Sequence, residues 1–142
     1  MKLSFVWHMH QPDYRDVKGI MQMPWVFLHA IKDYYDMPWM MSRFENMKAT
    51  FNITPPLITQ LKLYYTNPQE HDKFLALWVK DPIQLNELER KWIIKICKSI
   101  QLDTMAKGMP RYEELYLQER FNNAELIDLE ILFLLSWCGM YL

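Results

Sequence analysis

Leu3-Ser4-Phe5-Val6-Trp7-His8-Met9-His10 sets Leu3, Phe5, Trp7 and Met9 on one side and Ser4, Val6, His8 and His10 on the other. That is the period of two which a β-strand imposes on its side chains. Both histidines fall on one face near the strand's carboxyl end. Gln11-Pro12-Asp13 stops the strand, because proline has no N–H to give to a ladder, and a loop runs on to Met23. Pro24 suits a first helical turn, and Trp25, Leu28, Ile31, Tyr35 and Trp39 recur at three- and four-residue steps. This spacing predicts a helix over 24–46, bent near Pro38. Lys48-Ala49-Thr50-Phe51-Asn52-Ile53, bounded by Thr54-Pro55-Pro56, reads as a second strand. Strand, helix and strand form a βαβ unit, whose strands run parallel with a right-handed crossover.

Beyond this unit the pattern is helical. Helices are predicted over 57–65, over 68–79 with Asn67-Pro68 as cap and first turn, and over 83–101 with Asp81-Pro82 in the same role. A short helix over 111–117 follows, and Asn123 caps a last one running to Trp137, which Gly139 ends. No third strand is predicted. Two parallel strands make neither a closed barrel nor a satisfactory open sheet, since each keeps an unpaired edge. The run Trp137-Cys138-Gly139-Met140-Tyr141-Leu142 is apolar where chain ends are usually polar. The expected architecture is therefore an α/β fold that is the N-terminal piece of a larger domain.

Composition narrows the function. The chain has 142 residues, with 16 Lys+Arg against 17 Asp+Glu and a net charge of -1. Proteins that chiefly neutralise phosphates carry an excess of clustered cations, so nucleic acid is not an expected partner. Two cysteines, Cys97 and Cys138, without CxxC spacing read as buried thiols in a reducing compartment. The apolar start before His8 is too short for a secretory signal. Ile131–Leu142, interrupted upstream by Asp128 and Glu130, falls short of the roughly 20 residues that span a membrane. The expectation is a cytoplasmic protein with no membrane segment. Only 3 glycines leave no phosphate-cradling loop.

Trp7-His8-Met9-His10-Gln11-Pro12-Asp13 is the leading chemical cluster, because ligands of parallel α/β folds gather beyond the carboxyl ends of the strands. Its plainer reading is a pair of strand-capping histidines. A sharper one makes His8 and His10 two metal ligands with Asp13 nearby, but two histidines are not a site, and the chain holds only His29 and His71 besides. His29 and Asp33, like Lys32 and Asp36, are four apart and read as helix-stabilising pairs. Tyr34, Tyr35, Trp25 and Trp39 could stack on sugar rings, although aromatics at helical spacing are more often core. Glu113, Glu114, Glu125, Asp128 and Glu130 fall on predicted helices with no tuned pair among them. Ser136 and Cys138 lack a nucleophile elbow.

Several ordered segments together resemble glycoside hydrolase family 57. They are Val6–Pro12, Met23–Met37, Ala49–Leu61, Pro110–Leu115 and Asp128–Trp137, spread over nearly the whole chain. The resemblance implies a retaining α-glucan-acting enzyme of the α-amylase, amylopullulanase or glucanotransferase kind. It further implies an incomplete (β/α)7 barrel, of which residues 1–142 supply a truncated N-terminal part, and no metal or other cofactor. Such an enzyme uses a Glu nucleophile and an Asp acid/base, with carboxyl groups about 5–5.5 Å apart. In the family those motifs lie beyond the counterpart of residue 142, and neither is matched here, so no catalytic residue is assigned. His10-Gln11-Pro12 matches the family's first motif, whose histidine helps form the innermost sugar subsite. The substrate-binding residues implied are His10 first and His8 second, with Gln11, and Trp7 and Trp25 as weaker candidates. The partners are an α-glucan or maltooligosaccharide and the remainder of the barrel. Two alternatives stand beside this: a free-standing, non-catalytic protein binding glucan or another chain through its sheet edge, and a metal-dependent hydrolase using His8 and His10.

Overall fold

The computed structural model describes residues 3–140; Met1, Lys2 and the last two residues of the apolar tail, Tyr141 and Leu142, lie outside the described residues. Two strands, β1 (Phe5–Met9) and β2 (Ala49–Ile53), pair in parallel in the register Phe5↔Ala49 to Met9↔Ile53. The βαβ reading holds. β1 is shorter than 3–10 because β2 offers only five partners, and after Met9 the Thr54 N–H closes the ladder on the Met9 carbonyl at 3.3 Å. His10 thus stands just past the strand. Among the described residues the sheet has only these strands, so each keeps one edge without a ladder partner. Phe5, Val6, Trp7 and Ile53 are exposed, and only Met9 on β1 is buried.

The chain divides into two compact units, one running through Lys73 and taking in the residues from Cys138 onward, the other Phe74–Trp137. In the first, the segment between the strands is two helices, α1 (Trp25–Ala30) and α2 (Asp33–Ser42), rather than one bent helix. The break falls at Ile31-Lys32 and not at Pro38, which sits inside α2. Lys32 leaves helical geometry (φ -123°, ψ -93°), and the Ile31 carbonyl accepts instead from the Gly139 N–H at 3.1 Å. That long-range bond decides where the helix ends. After β2 come α3 (Pro55–Leu61), a 3-10 turn (Lys62–Tyr64) and α4 (Pro68–His71). The core of this unit gathers Met9, Met21, Val26 and Leu57.

The predicted helix 68–79 is likewise broken, at Asp72, before α5 (Lys73–Trp78) begins. Asp72 is extended (φ -130°, ψ 119°), and its flanks bridge to Met21 through Met21 N–H to His71 O (2.8 Å) and Lys73 N–H to Met21 O (3.0 Å). Its buried carboxylate accepts from the Tyr64 hydroxyl at 2.5 Å, and burial with this neighbouring charge pushes the Tyr64 phenol far up.

In the second unit a 3-10 turn (Pro82–Gln84) precedes α6 (Glu87–Cys97), α7 (Leu102–Met105), α8 (Pro110–Leu117) and α9 (Asn123–Trp137). Asp81 caps only the turn. α6 starts later than predicted because Asn86 and Glu89 form a reciprocal capping box. Asn122 and Glu125 exchange the same pair of bonds ahead of α9, so Asn122 rather than Asn123 is its cap. Phe74, Ile93, Tyr112, Leu115, Leu129 and Phe133 are almost wholly buried, and Tyr112 donates to the Cys97 carbonyl at 2.6 Å. Cys97 is buried as expected, which pushes its thiol well up and keeps it inert; Cys138 is exposed, because it lies past the last helix.

Candidate functional site

At the carboxyl end of β1 a cleft of about 300 Å³ is lined by Trp7, His8, Met9, His10 and Gln11, and across from them by His29, Asp33, Tyr34 and Met37. It lies within the first unit. Parallel strand ends present backbone and side chains to such openings, because the chain must leave the sheet there. His8 sits in the ladder opposite Asn52, and His10 follows beyond it, so the two rings project to the same side with centroids 5.9 Å apart and planes within 9°. Near-parallel imidazoles send their in-plane nitrogen lone pairs along parallel planes rather than onto one point. Among the described residues no group of three or more His, Cys, Asp or Glu is placed to hold a metal ion. Asp13 points its carboxylate at Arg15 (2.6 and 2.9 Å), and that guanidinium holds it down at about 2.

The loop after the histidines is fixed from beneath. Gln11 accepts from the Tyr14 hydroxyl (2.9 Å) and donates to the Tyr34 hydroxyl (3.4 Å), so both ends of its amide are engaged. Burial raises both phenols, so both hydroxyls stay neutral. Fully buried Gln60 on α3 donates to the Pro12 carbonyl (3.0 Å) and to Pro56 (3.1 Å), and accepts from the Tyr14 N–H (2.9 Å). One side chain thereby anchors the His10–Tyr14 turn to the helix that follows β2.

Sequence reasoning treats His29 and Asp33 as an ordinary intrahelical pair. The helix break lies between them, so their 2.5 Å contact joins the end of α1 to the start of α2 and faces the cleft. A carboxylate bonded to one ring nitrogen fixes the tautomer and the orientation of the ring. The four-residue spacing beside Tyr34 was the available signal. Trp25 is half-buried on α1 and is not among the cleft-lining residues. Nor are Tyr35 and Trp39; the Trp39 ring lies under the Arg43 guanidinium at 4.9 Å. Of the helical carboxylates, Glu114 and Asp128 pair with Arg111 and Glu125 caps α9. Glu130 departs from expectation: it is buried, and burial lifts its carboxyl to about 7.

A sequence model of glycosyl hydrolase family 57 matches residues 4–142. The chain belongs to glycosyl hydrolase family 57. No curated protein and no solved structure matches it. Membership of family 57 makes a glycan the class of substrate and carbohydrate metabolism the setting. The cleft lining combines imidazoles, a fixed amide and an indole, that is, hydrogen-bond donors, acceptors and a flat apolar face. Asp33, already bonded to His29, is the one carboxylate among the described lining residues. Among the described residues no helix is long and apolar enough to cross a membrane.

Proposed function

We propose that this family 57 chain is the N-terminal part of an incomplete (β/α)7 barrel of a retaining α-glucan-acting enzyme, and that it holds an α-glucan or maltooligosaccharide without turning it over. The observation that carries the reading is the strand-end cleft, which gathers His8, His10, Gln11 and Trp7 around a single, already engaged carboxylate. His10 and His8 donate to and accept from sugar hydroxyls, Gln11 holds the turn that presents them, and Trp7 offers a face for stacking. Retention needs two free carboxyl groups on opposite sides of the scissile bond. Residues 1–142 then contribute a positioning half-site, and the open edges of β1 and β2 are where the remaining barrel strands pair. Two free cysteines fit a cytoplasmic setting.

Incubated with soluble starch or with maltooligosaccharides, the chain should release no new reducing ends above a protein-free control. Sustained turnover by the purified chain would refute the half-site reading. The same exposed edges also suit a non-catalytic protein that recruits another chain, and light scattering over a range of concentrations separates the two: a stable stoichiometric oligomer favours that second reading.

A further inference from the structure

In the second unit Glu130 lines a cleft of about 320 Å³, together with Trp78, Val79, Pro82, Ile127 and Ile131, and with Lys80 and Asp81 at the turn. The residue is 6% exposed, and no hydrogen bond or ion pair joins its carboxyl to any described residue. A carboxyl so placed is costly unless something completes it. The cations nearest it, Arg90 and the cleft-lining Lys80, are committed elsewhere. Lys80 pairs with Glu89 at 2.8 Å, and Arg90 on α6 donates to the Pro82 carbonyl (3.2 Å), the Asn123 side chain (2.8 Å) and the Phe121 carbonyl (3.0 Å). Asp81 is spent on the Ile83 N–H at 2.9 Å. Glu130 thus has neither a hydrogen bond nor an ion pair among the described residues, and it lines a cavity with an indole in its wall.

We propose that this cleft is a binding site for a small organic cation, an alkylammonium or guanidinium group, held by the Glu130 carboxylate against Trp78. An ion pair to a carboxyl that is itself buried is stronger than one between groups in bulk water, and an indole adds attraction for a cation over its face. The aliphatic walls accept the alkyl stem. A neutral ligand would complete the carboxyl less well, since it brings no charge to offset the loss of hydration.

The site has a pH signature. Burial favours the neutral acid, so below about 7 a bound cation must draw a proton off Glu130 into the buffer, and affinity should rise as pH rises. The groups that could blur this are few: Arg90 acts on the carboxyl, Lys80 and Asp81 line the same cleft, the Cys97 thiol on α6 is pushed well up, and residues 74–137 contain no histidine. The test titrates the full chain with n-butylammonium at constant ionic strength, followed by NMR at the backbone amides of 78–82 and 127–131, with 1-butanol as the uncharged control. Affinity should increase roughly tenfold between pH 6 and 8, the change in ionised fraction of a group titrating at about 7. Glu130→Gln should weaken binding at least tenfold and abolish its pH dependence. Trp78→Leu should keep the pH dependence and lose roughly three- to tenfold. Equal binding of 1-butanol, a pH-independent affinity, or an unchanged affinity in Glu130→Gln would each overturn the proposal, as would the absence of saturable shifts at these amides.

Discussion

Gln60→Leu should destabilise the chain by about 3–5 kcal/mol and weaken maltooligosaccharide binding with it. Leucine matches the glutamine in bulk, so packing is nearly conserved and the loss is polar. Three backbone groups depend on this amide: the carbonyls of Pro12 and Pro56 and the N–H of Tyr14. Gln60 is wholly buried, and each partner left unsatisfied costs on the order of 1–3 kcal/mol. The Pro56 carbonyl also belongs to the first turn of α3, where Ile58 and Leu61 continue the helix, so part of its loss is absorbed locally. The Pro12 and Tyr14 contacts have no such reserve. They bridge 48 and 46 residues, and without them the turn that carries His10 and Gln11 is tethered at Met9, through the Gln11–Tyr34 bond and by the Gln22 N–H on the Tyr14 carbonyl. Urea denaturation measures the first effect and maltotriose titration the second. Stability within about 0.5 kcal/mol of the parent would mean that the turn holds itself.

Phe133→Ala should cost about 3–5 kcal/mol, the usual range for emptying a phenylalanine site that cannot collapse. Phe133 has no exposed surface. Its ring meets Phe74 edge-on, with centroids 5.7 Å apart at 65°, and Trp137 at 6.4 Å and 62°. Such edge-to-face pairs add about 0.5–1.5 kcal/mol beyond the area they bury. A void here faces rigid rings and the backbone of α9, which cannot move in to fill it. Phe133→Leu keeps most of the volume and should lose only about 1–2 kcal/mol. The difference between the two variants in denaturant midpoint is therefore the informative quantity. Similar losses in both would assign the effect to the aromatic contacts rather than to the cavity.

The parallel strand pair was legible because alternation over Phe5–Met9 and the β-branched and aromatic residues of Ala49–Ile53 are local signals. The α8 and α9 helices were legible for a similar reason, although α8 starts one residue before the expected Arg111 and the cap of α9 is Asn122, one residue before the expected Asn123. The breaks at Lys32 and Asp72 were not. Each depends on a bond to a distant residue, Ile31 with Gly139 and Asp72's flanks with Met21, that no window of sequence contains. Pro38 misled in the opposite direction, since α2 tolerates it as an interior residue of a short helix.

The site was legible to the extent that it was local. His8, His10 and Gln11 line the strand-end cleft just ahead of Pro12, and Trp7 joins them although the alternation sets it on the opposite face of β1. His29 and Asp33 meet at that cleft across the helix break, whereas Trp25, at the start of α1, is not among its lining residues. Glu130 looked like another helical carboxylate; its burial is set by the elements packed on α9 and not by its neighbours in sequence.

The central claim is that the opening beyond β1 is a sugar-binding half-site, and titrating isotopically labelled chain with maltotriose tests it most directly. Saturable NMR shifts should appear at the backbone amides of 7–11 and 29–34, and His10→Ala should weaken the binding roughly tenfold, about 1.4 kcal/mol. No saturable change in those amides, or saturable change confined to other residues, would contradict the account.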